Sequence, residues 1–117
     1  MDGLAGEEAR TAAAAYLDEL AHQRRASPLT LESYGHDLAA LLELAGTVPL
    51  DKLKHHDIRR FVAQLHARGL SGRSLARVLS AWRGFFNWLA KCRGMTQNPC
   101  LAVRPPKSKK ALPAVLS

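Results

Sequence analysis

The sequence lacks the residues and segments on which several classes of protein depend. It has only two cysteines, Cys92 and Cys100, and no histidine stands near them at zinc-site spacing. We therefore predict free thiols in a reducing cytosol rather than a disulfide framework or a zinc site. No apolar run approaches the ~20 residues that cross a membrane, and the N-terminus lacks the basic-then-apolar order of a signal peptide. A cytoplasmic location, away from membranes, is expected.

Patterns that carry catalysis are also missing. There is no glycine-rich phosphate loop, and the five histidines stand in no metal-binding arrangement. The neighbouring His55 and His56 would point about 100° apart on a helix, which prevents them from holding one ion together. No serine has an implied histidine and carboxylate partner. We predict no metal, no cofactor, no small-molecule substrate and no enzymatic site in these residues.

Acidic residues are absent after Asp57. Ten acidic and five basic residues lie up to that position, a formal charge of −5, and twelve basic residues follow it, a charge of +12. The chain as a whole carries +7, with an isoelectric point near 10.0. Such polarity predicts a positive surface built by the C-terminal half, and it favours a polyanionic partner, most often nucleic acid. The acids themselves are expected on solvent-facing positions.

The periodicity predicts an all-α protein. A chain of 117 residues with 47% hydrophobic residues is long enough for one core. Apolar residues recur at three- and four-residue spacing in four segments, predicted as helices from residue 8 to about 25, 28 to 45, 55 to 67 and 71 to about 93. We expect a compact orthogonal bundle of four amphipathic helices. Residues 1–7 are predicted as a flexible lead-in, 8–103 as the helical domain and 104–117 as a basic linker with an apolar tail.

Each predicted helix has an inward-facing stripe. The stripes comprise Ala12, Ala15, Tyr16, Glu19, Leu20 and Gln23; Leu31, Tyr34, Leu38, Leu41, Leu42 and Ala45; Ile58, Phe61, Val62 and Leu65; and Leu75, Val78, Leu79, Trp82, Phe85, Phe86 and Leu89. The opposite side of the fourth helix gathers Arg73, Arg77, Ser80, Gly84, Asn87 and Lys91. Long cations separated by small residues suit the close approach of a polyanion, so this helix is predicted both to hold the core and to lie against DNA.

The start of the fourth helix carries an electrostatic conflict. Arg73, Ser74 and Arg77 lie in its first turns, where the helix dipole favours anions over cations. A DNA phosphate would resolve the conflict, and this interpretation is favoured over the alternative that the arginines are simply solvated. On the second helix, Thr30, Ser33 and His36 are candidates for phosphate or base contact.

Other cations are interpreted differently. Arg59 and Arg60, on the third helix, are predicted to be solvated surface residues. Lys107, Lys109 and Lys110 either track the DNA backbone or belong to a solvated hinge.

Four stretches together resemble a known family. They are YLDELAHQRRASPLTLESYGHDLAALL, HARGLS, SGRSLARVLSAWRGFFNWL and NPCLAVRPPKSKKALPAVLS, in that order. The pairing of SPLTLESY with the arginine-rich fourth helix, and the linkers between them, is similar to the N-terminal core-binding, SAM-like domain of Xer-type tyrosine recombinases. The resemblance covers nearly the whole chain from about Ala13.

The resemblance implies a role in site-specific recombination. Such recombinases clamp DNA between two domains, and the second and fourth helices of the first domain face the duplex. Applied to this sequence, the DNA-binding candidates are Thr30, Ser33, Tyr34, Arg73, Ser74, Arg77 and Lys91. The catalytic domain with its nucleophilic tyrosine would begin in the tail ALPAVLS, so neither Tyr16 nor Tyr34 is a nucleophile. The implied partners are double-stranded DNA, a paired recombinase subunit and a septal DNA translocase, and the implied outcome is resolution of chromosome dimers.

Two alternatives remain at this point. A helical protein–protein interaction module could use the same basic face to bind an acidic partner. The chain could also be a small independent regulator, complete as it stands. Salt-dependent binding to duplex DNA separates the first alternative from the DNA-binding interpretation.

Overall fold

Four α-helices build the part of the chain that the computed structural model describes, residues 6–95, 98–101, 103 and 104. They are α1 (Glu7–His22), α2 (Pro28–Ala45), α3 (His55–Ala67) and α4 (Gly72–Arg93), with a 3₁₀ turn at Leu50–Lys52 between α2 and α3. No strand occurs in these residues, and the predicted all-α bundle is confirmed. The lysines at 107, 109 and 110 and the apolar tail lie outside the described residues.

The helix boundaries follow local signals in the sequence. Pro28 occupies the first turn of α2, where its missing N–H leaves no helical bond unmade, and α2 ends before Gly46, which has a φ of 60°. α1 is shorter than predicted, because it ends at His22 rather than near Arg25. There the Ala26 N–H donates to the Leu20 carbonyl and Arg25 adopts a φ of 52°, so the chain turns away instead of extending the helix.

α4 lies at the centre of the bundle and contacts each of the other three helices, while α1 also packs on α2. All seven predicted core residues of α4 are buried, as are the four of α3. On α2, Leu38, Leu41 and Ala45 are buried, and the rest of its predicted stripe is half-buried. The predictions for Ala15 and Gln23 are wrong: both are exposed, and Ala13 faces the core instead of Ala15.

A short segment after α4 folds back onto it. The Asn98 side-chain amide donates to the Arg83 carbonyl (3.2 Å) and to Asn87 Oδ1 (2.8 Å), and Arg83 Nη2 donates to the Val103 carbonyl (3.1 Å). Cys100 and Val103 are buried in the core. These bonds therefore hold Asn98 and Val103 against α4.

The two cysteines are free thiols, as predicted. Cys92 is exposed, whereas burial raises the pKa of the Cys100 thiol to about 12. Among the helices of the described residues, none combines the length and the apolar character that crossing a membrane requires.

Candidate nucleic-acid interface

The helices α2 and α4 begin with the same arrangement of hydroxyl groups. Ser27 Oγ accepts from the Thr30 N–H (3.1 Å), and Ser71 Oγ accepts from the Ser74 N–H (3.2 Å), so each serine caps its helix. Each capping serine also donates to the hydroxyl three residues later, at 3.0 Å in α2 and 3.3 Å in α4. Because Thr30 and Ser74 accept in these bonds, their own hydroxyl hydrogens remain available to a ligand.

A two-pronged ion pair joins α2 to α4. Arg77 Nε donates to Asp37 Oδ2 at 3.1 Å, and Arg77 Nη2 donates to Asp37 Oδ1 at 2.8 Å. The Asp37 side chain is only 4% exposed and that of Arg77 is 47% exposed. The hydrogen bonds to the carboxylate raise the pKa of Arg77, against the opposing effect of burial. This pair ties the sides of α2 and α4 that carry most of the predicted DNA contacts.

The Asp37 backbone adds a third link. Its carbonyl oxygen accepts from Trp82 Nε1 at 2.7 Å in the core. Ser33 lies one turn before Asp37 on α2, and Arg73 lies one turn before Arg77 on α4, so each is on the same face as a member of the ion pair. The ion pair thus brings the Ser33 side of α2 to the Arg73 side of α4.

Arg73 is an exposed cation at the start of α4. It makes no hydrogen bond or ion pair within the part of the chain that the structure describes. The first turn of α4 contains no acid, so Arg73 lies beside backbone N–H groups that attract anions without a partner from the described residues. For Arg77 the predicted conflict with the helix dipole is relieved by Asp37, but for Arg73 it persists.

The remaining candidates differ in position. Thr30 and Ser33 are half-buried, and Tyr34 is half-buried with its ring packed against the core. Lys91 is exposed, but it lies about 27 Å from Arg73 along the axis of α4, given 1.5 Å per residue. The structure therefore groups the candidates at the beginnings of α2 and α4, and it leaves Lys91 at the far end of α4.

One expectation about the outer face of α4 is wrong. Gly84 was expected to allow close approach of an external partner, but a side chain at this position would collide with the Tyr16 hydroxyl of α1. Asn87 is exposed, as expected of the outward-facing polar residues, and its Oδ1 accepts from Asn98. Tyr16 therefore occupies the space beside Gly84 on this face.

Asp37 is the residue that the sequence reasoning missed. It was grouped with acids on solvent faces, and that expectation is wrong because Asp37 is buried. A helical wheel offers the missing signal: Asp37 lies about 40° from Leu41, next to the core stripe. An acid at that edge needs a cationic partner, and Arg77 stands at a similar edge of α4.

Among the described residues, no set of three or more His, Cys, Asp and Glu side chains is arranged to hold an ion. Hydroxyl groups, arginines and helix N-termini are the groups that this surface offers, and they are the protein groups that contact nucleic-acid phosphates.

Comparison with known proteins identifies the family. Residues 13–92 match the phage integrase N-terminal SAM-like domain. The chain is 53% identical over 109 residues to tyrosine recombinase XerC of Ralstonia pickettii (strain 12J), a match that covers 89% of this chain and 33% of the relative. It is 42% identical over 101 residues to tyrosine recombinase XerC of Alcanivorax borkumensis, covering 86% of this chain and 33% of that relative.

The matches cover only part of each relative. The chain spans about a third of the length of the curated relatives it matches, and no solved structure gives a significant match. The matched region nevertheless contains α2, α3 and most of α1 and α4. The chain belongs to the family of phage integrase N-terminal SAM-like domains.

Proposed function

We propose that this chain is a DNA-binding domain of a XerC-like tyrosine recombinase, and that the beginnings of α2 and α4 contact the duplex. Arg73, Ser74 and Arg77 would bind phosphates from α4, while Thr30, Ser33 and Tyr34 would bind from α2. Lys91 would contact the duplex near the opposite end of α4. The domain grips and orients DNA and carries no part of the strand-cleavage chemistry.

The ion pair between Asp37 and Arg77 is the observation that best supports this proposal. It joins two helix faces that belong to separate elements, and beside them Arg73 is exposed and has no partner among the described residues. Cations, hydroxyl donors and two helix N-termini on neighbouring elements suit the phosphate backbone of DNA. Family membership and the strongly basic C-terminal half support the same proposal.

The biological context is proposed from the relatives. They carry the name tyrosine recombinase, and we infer that this domain serves a recombinase in the bacterial cytoplasm. There a tyrosine outside the residues of this chain would attack a DNA phosphate, and a paired recombinase subunit would complete strand exchange. Resolution of chromosome dimers and cooperation with a septal DNA translocase are the corresponding cellular roles that we propose.

Fluorescence anisotropy with labelled duplex DNA tests this function. The affinity should fall steeply as salt rises from about 50 to 200 mM, because binding releases counterions from the phosphates. Replacing Arg73 with alanine should weaken binding and reduce the slope of log K against log salt by about 0.9, the value for one lost phosphate contact.

Arg59→Ala is the matched control. Arg59 is an exposed cation on α3 that has no partner among the described residues, so this variant removes the same charge from a different surface. It should leave the slope almost unchanged. Equal effects of Arg59→Ala and Arg73→Ala would show general attraction rather than a defined surface. If duplex DNA is not bound at low salt, the protein–protein module becomes the better interpretation.

A further inference from the structure

We propose that Asp37 is a positioning residue for DNA binding, which holds the Arg77 guanidinium in place with one of its edges free for a phosphate. This inference rests on the proposed function, because it concerns how one residue of the DNA surface is prepared for its ligand. Asp37 itself does not contact DNA in this account.

The hydrogen-bond geometry determines which part of Arg77 is free. A guanidinium has five N–H donors, and Asp37 uses the Nε donor and one donor on Nη2. The two donors on Nη1 and the second on Nη2 make no bond within the described part of the chain. Two of these three free donors, one on Nη1 and one on Nη2, point in parallel from the same edge of the guanidinium. Such an edge can form bidentate hydrogen bonds to a phosphate.

The two charges of the ion pair lie at different depths below the protein surface. Asp37 is almost completely covered, whereas about half of the Arg77 side chain is exposed. A ligand at the surface therefore meets the cation first, with the carboxylate behind it. The bond from Trp82 to the Asp37 carbonyl also fixes the α2 backbone against α4, so the carboxylate is a rigid support.

Holding the Arg77 side chain in place affects the affinity for DNA. A long side chain that is mobile in the free protein loses conformational freedom when it binds, and this loss weakens binding. Arg77 is already held by two hydrogen bonds before DNA arrives, whereas Arg73 makes none with the residues that the structure describes. Asp37 should therefore increase the affinity for DNA although its own charge is negative.

Charge alone predicts the opposite effect of Asp37 on the affinity for DNA. Removing a carboxylate near a polyanion raises affinity if the carboxylate acts only through its charge. It also raises affinity if Asp37 competes with phosphate for Arg77. The direction of the change on neutralising Asp37 therefore distinguishes positioning from both alternatives.

The experiment measures duplex binding by the wild-type chain, Asp37→Asn and Glu43→Gln at the same low salt. Glu43→Gln is the matched control, because it removes the same charge from the same helix at an exposed residue whose contact with Arg68 is a loose 3.9 Å. We expect Asp37→Asn to weaken DNA binding by about three- to tenfold, the range for loss of one pre-organised side chain. Glu43→Gln should leave affinity unchanged or slightly higher.

A second variant keeps the proposal testable if Asp37→Asn does not fold. If Asp37→Asn fails to show native circular dichroism, Arg77→Lys is tested instead, since lysine keeps the positive charge but cannot offer one edge to a carboxylate and another to a phosphate. It too should bind DNA several-fold more weakly. Wild-type affinity in a folded Arg77→Lys variant would overturn the proposal.

The remaining outcomes separate this inference from the proposed function. If the wild-type chain binds DNA and Arg73→Ala weakens it, but Asp37→Asn binds equally well or more tightly, only the positioning role is overturned. If the wild-type chain shows no salt-dependent binding, the proposed function fails and the positioning role fails with it.

Discussion

Replacing Arg77 with alanine should destabilise the fold far more than replacing Arg73, one helical turn away. In Arg77→Ala the Asp37 carboxylate stays buried but loses both of its hydrogen bonds to the guanidinium. Breaking a fully buried ion pair costs about 3–5 kcal/mol, and an exposed pair contributes at most about 1 kcal/mol. Arg77 is about half exposed, so water can reach part of the site, and the expected cost is about 2 kcal/mol.

Thermal unfolding followed by circular dichroism measures this cost. For a domain of about this size, 2 kcal/mol corresponds to a fall in Tm of roughly 8–16 °C. Arg73→Ala should change the free energy of unfolding by less than about 0.5 kcal/mol, because Arg73 is an exposed residue without a partner in the described region. Adding Asp37→Asn to Arg77→Ala should recover part of the loss, since the unpaired charge is then gone. Equal Tm values for the two arginine variants would refute this reasoning.

Three further predictions concern packing, capping and thiol reactivity. Gly84→Ala should destabilise the protein by about 1–3 kcal/mol, because the new methyl group collides with the Tyr16 hydroxyl, and adding Tyr16→Phe should restore much of the loss in urea unfolding. Ser71→Ala should cost about 1 kcal/mol in the same assay through loss of the α4 cap. A thiol reagent at mildly alkaline pH should modify Cys92 in the native protein and Cys100 only after denaturation, because Cys100 is buried with its pKa raised to about 12. Rapid modification of both thiols in the native state would contradict the burial of Cys100.

The sequence predicted the helices well because their ends carry strong local signals. Serine caps start α2 and α4, and a proline and a glycine delimit α2, so those limits agree with the structure to within a residue. The end of α1 was misplaced because it depends on a single bond from Ala26 to Leu20, which no composition rule predicts. The alanine-rich stretch of α1 also gave little contrast between its faces, which explains the error at Ala15.

The candidate site was harder to predict because its key contact is non-local. Asp37 and Arg77 are 40 residues apart, and their pairing depends on how α2 packs on α4. A helical wheel treats each helix alone, so it placed Arg77 toward solvent and Gly84 toward an external partner. The true partners were Asp37 of α2 and Tyr16 of α1. Periodicity identifies the faces of a helix, but only tertiary packing shows which neighbour covers each face.

Titration of the isotope-labelled chain with duplex DNA, followed by backbone amide NMR shifts, tests the central claim most directly. Shifts should concentrate at the beginnings of α2 and α4, around Ser33 and Arg73, and should diminish as salt is added. The exposed face of α3 near Arg59 should remain almost unchanged. Shifts confined to α3, or an absence of salt-dependent shifts at α2 and α4, would contradict the proposed DNA surface.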